Sequence, residues 1–380
     1  MRRTPEVRRL GGLVIALTLI VAACSPTGSA PKETSTTTSE TTAQPGETTT
    51  QPTTTTTQPV EIVLLTHDAF AVSDNVLADF TSQTGINVKL LRSDDAGTML
   101  NQTILTKDNP IADVMFGIDN TFLSRALSEG IFDPYESPGL ATVPKALQLD
   151  PEHYVTPIDF GDVCINYDKA AFTGDVPVPT SLLDLTDPAY RDMLVVEDPA
   201  TSSPGLAFLL ATIAEFGEEG DYTWKDFWAD LAANGVKVDS GWTEAYYSDF
   251  SAASDGIRPL VVSYASSPPA EVIFSETPLT SAPTGVITDG CFRQIEFAGI
   301  LAGTEHPDAA RKLIDFMLSK EFQEDIPLNM FVFPANSQAE LPPEFIEFTT
   351  LPEHPESLDP ALIEQNRERW IEEWTEILRK

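Results

Sequence analysis

Basic residues, histidine and cysteine are all scarce in this chain of 380 residues. Lys and Arg number 23 against 58 Asp and Glu, for a formal charge of −35. A surface of that sign repels nucleic acid and anionic lipid headgroups. It attracts a cationic ligand only weakly at physiological salt, so its main consequence is solubility. The four histidines, His67, His153, His306 and His354, sit in no Gly-x-Ser-x-Gly or His-Glu-x-x-His setting, which leaves hydrolytic chemistry without a signature. Beyond position 24 only Cys164 and Cys291 remain, with no metal-ligand spacing around either. Past Ala22 no apolar run reaches the roughly 20 residues of a membrane helix. These absences argue against an enzyme, a nucleic-acid binder and a multi-span membrane protein. They call for no metal and no cofactor.

What is present begins with an address. Arg2, Arg3, Arg8 and Arg9 form a basic segment, and Leu10 to Ala22 is apolar. The run Val21-Ala22-Ala23-Cys24 resembles a bacterial lipobox, where cleavage precedes the cysteine and its thiol is lipidated. On that reading 1–23 is a lipoprotein signal peptide, and Cys24 anchors the mature chain to the cell membrane outside the cytoplasm. A plain secretory signal is the simpler alternative. Residues 24–59 are almost entirely Thr, Ser, Pro, Gln, Glu and Gly, too poor in apolar side chains to offset the entropy of ordering, and read as a disordered tether. In an oxidising compartment Cys164 and Cys291 are a candidate disulfide. Two buried free thiols are the other reading.

From Val60 the chain alternates short β-rich runs with amphipathic helical stretches, an order that argues a mostly parallel sheet flanked by helices. Ser73 is placed to cap a first helix that Gly85 ends, and Ser203-Pro204 to start another. A second α/β block begins near Asp159 and the chain later returns to the first. This predicts an α/β fold of two lobes, 60–158 plus 290–380 and 159–289, with a ligand cleft between them. Gly241-Trp242-Thr243-Glu244-Ala245-Tyr246-Tyr247 and Ser263-Tyr264-Ala265-Ser266-Ser267-Pro268 set aromatic rings beside small polar residues. Such a composition suits a pocket for a flat, polar or cationic molecule. Ordinary core packing suits it too.

Taken in order, Thr66-His67-Asp68-Ala69-Phe70, Ala112 to Asn120, Pro157-Ile158-Asp159-Phe160-Gly161, Asp198 to Gly205, the two aromatic motifs and Phe333-Pro334 resemble the thiamine-binding proteins of bacterial ABC importers. The resemblance implies a two-lobed fold of the periplasmic-binding-protein type (type II). It also implies capture of thiamine, or its mono- or diphosphate, between the lobes, and delivery to a membrane permease driven by an ATPase. It implies that Asp95 and Ala96 contribute from the first lobe. Ser202 and Ser203 would meet the hydroxyl or phosphate end, and Trp242, Tyr264 and the turn Ala265, Ser266, Ser267, Pro268 would line the pocket. Phe331 falls where the family often carries Trp, His67 where Tyr is common, and Ala96 where Gly is frequent. These departures bear on the choice among thiamine and its phosphates. The side chains suit such a ligand: rings for the thiazolium cation and pyrimidine, Asp95 for the amino group, a helix start for the tail oxygen. Related receptors bind ferric iron through paired tyrosines and a histidine, so His67, Tyr246 and Tyr247 form an alternative metal set. A monomer is expected.

Overall fold

The computed structural model describes residues 60–275 and 277–379. The segments read as signal peptide (1–23) and tether (24–59), with Cys24, lie outside the described residues. In chain order the elements are β1 (Val60–Thr66), α1 (Asp74–Thr84), β2 (Ile86–Arg92), α2 (Ala96–Leu105), β3 (Val114–Asp119), α3 (Leu123–Ser128) and β4 (Phe132–Asp133). Next come β5 (Thr156–Asp168), β6 (Leu194–Glu197), α4 (Ser203–Phe216), α5 (Trp224–Ala233), β7 (Lys237–Asp239) and α6 (Trp242–Glu244). The remainder are β8 (Leu260–Tyr264), α7 (Pro268–Ile273), β9 (Thr284–Leu301), α8 (Pro307–Met317), α9 (Lys320–Asn329), β10 (Phe333–Pro334), α10 (Pro343–Phe348) and α11 (Pro360–Leu378).

Among the described residues the strands join in one sheet of order β2-β1-β3-β9-β5-β8-β6-β7, with β10 beside β5 and β4 beside β9. Its flanks are parallel, as β-α-β connections require: β1 with β2 and β3, β6 with β7 and β8. Its centre is antiparallel, because β9 returns along β3 and β5, and β5 also pairs antiparallel with β8. The sequence motifs mark only pieces of these central strands. Val163 to Tyr167 is the end of a 13-residue β5, and the stretch around Ile295 belongs to an 18-residue β9. The boundaries read from sequence, 158/159 and 289/290, fall inside β5 and β9, which run through without a break.

The helices follow their apolar periodicity. In α8, Ala309, Ala310, Leu313, Ile314, Phe316 and Met317 are buried, the spacing of one helical face. In α11, Ile363, Trp370 and Trp374 are buried, and so is Arg367, whose guanidinium lies over the Phe122 ring at 5.7 Å. Trp374 meets Trp228 of α5 edge to face at 5.5 Å. Two starts differ from expectation. Ser73 makes no capping bond; its backbone N–H and hydroxyl both donate to Asp325 of α9, tying α1 to a helix 252 residues away. The N-cap of α4 is Ser202 rather than Ser203.

Between Val163 and Ile165 the β5–β9 register shifts, so that four residues of β9, Thr288 to Cys291, bulge out opposite Cys164. Gly290, at φ 66°, supplies the left-handed turn the bulge needs. Cys291 at its end is joined to Cys164 by a disulfide, with the two Cα atoms 4.4 Å apart and a sequence separation of 127. Both are buried. A cross-link over so long a loop restricts the unfolded chain strongly. Protein purified without reductant and then denatured should show no alkylatable thiol at either position by intact mass. Replacing both with serine should lower unfolding stability by about 3–5 kcal/mol in a denaturant titration.

Candidate ligand-binding site

A cavity of about 300 Å³ opens beside the carboxyl end of β1, at the small end of the range for small-molecule sites. The loop after β1, the starts of α2 and α4, α6, α7, one face of β9 and the segment from Asn329 to Val332 converge on it.

Asp95 organises one end. It N-caps α2 by accepting from the N–H of Ala96 at 2.7 Å. The same carboxylate accepts from the N–H of Ser203 at 3.2 Å, the Ser202 hydroxyl at 2.8 Å and the N–H of Trp242 at 3.2 Å. Three helix starts, far apart in sequence, thus point their unpaired donors at one anion. Burial pushes the Asp95 carboxyl up, and these four hydrogen bonds pull against it. Gly97 is needed beside it, since a Cβ there would stand 2.8 Å from the Thr201 carbonyl oxygen. The hydroxyl of Ser203, which also lines the cavity, has no partner among the described residues.

The walls are aromatic. Trp242 stacks on Tyr246 at 5.0 Å and meets Tyr264 at 6.4 Å. Its indole N–H donates to the Ser263 hydroxyl at 2.9 Å, and Ser267 pairs with that hydroxyl at 2.9 Å. The rings are therefore held by a hydroxyl chain behind them. Tyr264 donates to Gln294 Oε1 at 3.0 Å. Its phenol is pushed well above the ordinary range by burial, then by Glu296, Asp95 and Asp119. Phe331 closes the wall against Phe274 at 5.0 Å. Its φ of 56° is rare for an aromatic residue, a local cost of the kind that collects at ligand clamps.

Glu296 forms the floor, with two wholly buried carboxyls beside it. Asp119 of β3, Glu296 of β9 and Asp159 of β5 are partners in register across three adjacent strands. Burial is the main cause that raises Asp119 to about 6 and Asp159 to about 7. Glu296 is pushed well above the ordinary range by burial and then by Asp159, with His67 opposing. The His67 Nε2 lies 3.6 Å from Glu296 Oε1. Among the described residues no group of three His, Cys, Asp or Glu is arranged to hold a metal ion.

Of the residues singled out in the sequence, His67, Asp95, Ala96, Ser203, Trp242, Tyr264, Ser267 and Phe331 line this cavity. Four do not. Ser202 is wholly buried beneath Asp95. Ala265 packs against the disulfide, while Ser266 and Pro268 are buried behind the Tyr264 wall. The turn between β8 and α7 gives the cavity only Tyr264 and Ser267 of this motif. Tyr246 and Tyr247, the alternative metal pair, also line the cavity, but the Tyr246 phenol donates to Glu271 at 2.8 Å and is pushed well above the ordinary range by burial and Glu271. Gln294 and Glu296 are not among the residues the sequence motifs single out. Their signal is the alternation of polar Gln294 and Glu296 with apolar Ile295 and Phe297.

Comparison with known proteins agrees with this geometry. Residues 109–351 match the model for bacterial extracellular solute-binding proteins. The chain is 30% identical over 321 residues to the thiamine-binding periplasmic protein of Escherichia coli, covering 82% of this chain and 92% of that one. It is 27% identical to the thiamine-binding periplasmic protein of Brucella abortus, covering 83% and 91%. A solved periplasmic thiamin binding protein superposes with a TM-score of 0.73 at 29% identity, over 84% of this chain and 96% of that one. The iron-bound HitA of Pseudomonas aeruginosa shares the fold, with a TM-score of 0.68 at 21% identity over 84% and 99%. The sheet, the cavity and these matches together show that the chain belongs to the family of bacterial extracellular solute-binding proteins.

Proposed function

We propose that the chain is an extracytoplasmic receptor that captures thiamine and delivers it to an ABC importer. The observation that carries this reading is the cavity itself: rings of Trp242, Tyr264 and Phe331 around the Glu296 carboxyl, with Asp119 and Asp159 buried beside it. Thiamine is a flat cation with an aminopyrimidine and a hydroxyethyl tail. Ring faces attract its thiazolium, each good contact contributing about 0.5–2 kcal/mol. A bound cation favours the ionised form of the Glu296 carboxyl, and Ser203 at the start of α4 lines the end where the tail oxygen would lie. The relatives named for thiamine binding support the same ligand.

On this reading 60–158 with 290–380, and 159–289, act as two lobes that close on the ligand, and the Asp95 bonds to Ser202, Ser203 and Trp242 are contacts made on closure. Lipidation at Cys24 would keep a monomeric receptor near its permease, which an ATPase drives. A ferric site at His67, Tyr246 and Tyr247 is disfavoured, because iron would need a Tyr246 phenolate that burial and Glu271 both oppose.

Calorimetric titration of ligand-stripped protein should give saturable one-to-one binding of thiamine and no heat with ferric citrate. Trp242→Ala or Tyr264→Ala should each weaken thiamine binding by 10- to 100-fold, about 1.4–2.7 kcal/mol. Affinity equal to the native protein's in both variants would refute the site.

The buried carboxyls also set a pH dependence for the free receptor. Asp159 at about 7 and Asp119 at about 6 keep protons in the native state that an unfolded Asp, at about 3.9, has already lost. The unfolded chain therefore binds fewer protons, and stability falls as pH rises from about 4 through about 7. Denaturant midpoints across that window should show the decline, and Asp159→Asn should flatten it.

A further inference from the structure

Gln294 and Glu296 lie two residues apart on β9, so the pleat turns both side chains to one face. Both reach the cavity, although only 1% of Gln294 and 8% of Glu296 are exposed. The Gln294 amide is oriented by Tyr264, whose hydroxyl donates to Oε1. That leaves Nε2 as the donor, and it has no hydrogen-bond partner among the described residues. A buried amide N–H without a partner is costly, and native structures seldom keep one without a use. Glu296 is flanked in register by two carboxyl side chains, Asp119 and Asp159. His67 at 3.6 Å is beyond hydrogen-bonding reach. Neither polar group satisfies the other. The strand thus offers the cavity a donor and an acceptor in fixed order.

We infer that Gln294 and Glu296 read the aminopyrimidine edge of the ligand, Gln294 donating to a ring nitrogen and Glu296 accepting from the exocyclic amino group. The inference rests on the thiamine reading above and assigns that ligand's orientation. Asp95 does not fill this role, since its two oxygens already accept four hydrogen bonds. With the ring edge on β9, the tail points to the other polar end, at Ser203, and the thiazolium lies between the aromatic walls. An acceptor at Glu296 is present whether its carboxyl is ionised or shares a proton with Asp159. A ligand whose amino group is replaced by a carbonyl presents the reverse order, acceptor where the donor was and ring N–H where the acceptor was. Both strand groups would then face a mismatch in a buried site, where discrimination is strong.

The test compares thiamine with its 4-oxo analogue by calorimetric titration of the native protein and of Glu296→Gln, Glu296→Leu and Gln294→Leu. The native protein should prefer thiamine by at least tenfold. In Glu296→Gln, of nearly the same shape, the amide can turn to donate to the carbonyl, and the preference should fall below about threefold. Gln294→Leu and Glu296→Leu should weaken thiamine more than the analogue. A native protein that binds both compounds equally overturns the inference while leaving the thiamine receptor standing, and so does a Glu296→Gln preference equal to the native one. A purely structural role would weaken both compounds alike and leave their ratio unchanged. Should the leucine variants fail to fold, the native and Glu296→Gln ratios decide alone. Failure of the native protein to bind thiamine at all would instead remove the functional reading on which the inference stands.

Discussion

The antiparallel pairing of β5 with β9 is the constraint on which the rest of the molecule depends. It runs from Thr156 opposite Ala298 to Asp168 opposite Thr284, and it carries β3 on one flank and β8 on the other. Everything at the cavity floor follows from its register. Asp119, Glu296 and Asp159 are neighbours because three strands align there, and Tyr264 stands opposite Val163 for the same reason. A slip of one residue would turn Gln294 and Glu296 to the opposite face of the sheet. The bulge from Thr288 to Cys291, pinned at Cys164, absorbs an irregularity that would otherwise propagate along both strands.

Electrostatics at the cavity is divided between two ends of unlike character. At the Asp95 end, the negative charge is already met by two hydroxyl- and amide-bearing helix starts as well as its own, so the helix dipoles of α2 and α4 are satisfied within the protein. At the β9 end, carboxyls crowd together with His67 3.6 Å from Glu296, and burial drives them toward their neutral forms. A cationic guest held by the ring faces between those ends relieves the second without disturbing the first. The overall acidity of the surface adds little to this, because solvent and salt screen it. The selective charge is the buried one.

Much of the site is legible in the sequence. Trp242, Tyr264 and Phe331 stand out as rings among small polar residues, and Asp95 and Ser203 as polar groups at helix starts. Those are local signals, since the helix periodicity, the turn chemistry and the Pro204 start are written within a few residues of each other. The same locality explains where the expectations miss. Ser202, Ser266 and Pro268 belong to the right motifs but point into the protein. Ser73 sits in a capping position yet serves Asp325 of α9 instead.

By itself the sequence determined the alternation of strands and helices, the apolar faces of α8 and α11 and the aromatic motifs, because each depends on spacing along the chain. Only the tertiary structure decided that three helix starts share the single carboxylate of Asp95, that Cys291 lies in a bulge against Cys164, and that Gln294 and Glu296 face the cavity. Those outcomes depend on strand register and on contacts between residues more than a hundred positions apart. No local pattern encodes which face of a long buried strand will meet a cavity whose other walls come from elsewhere in the chain.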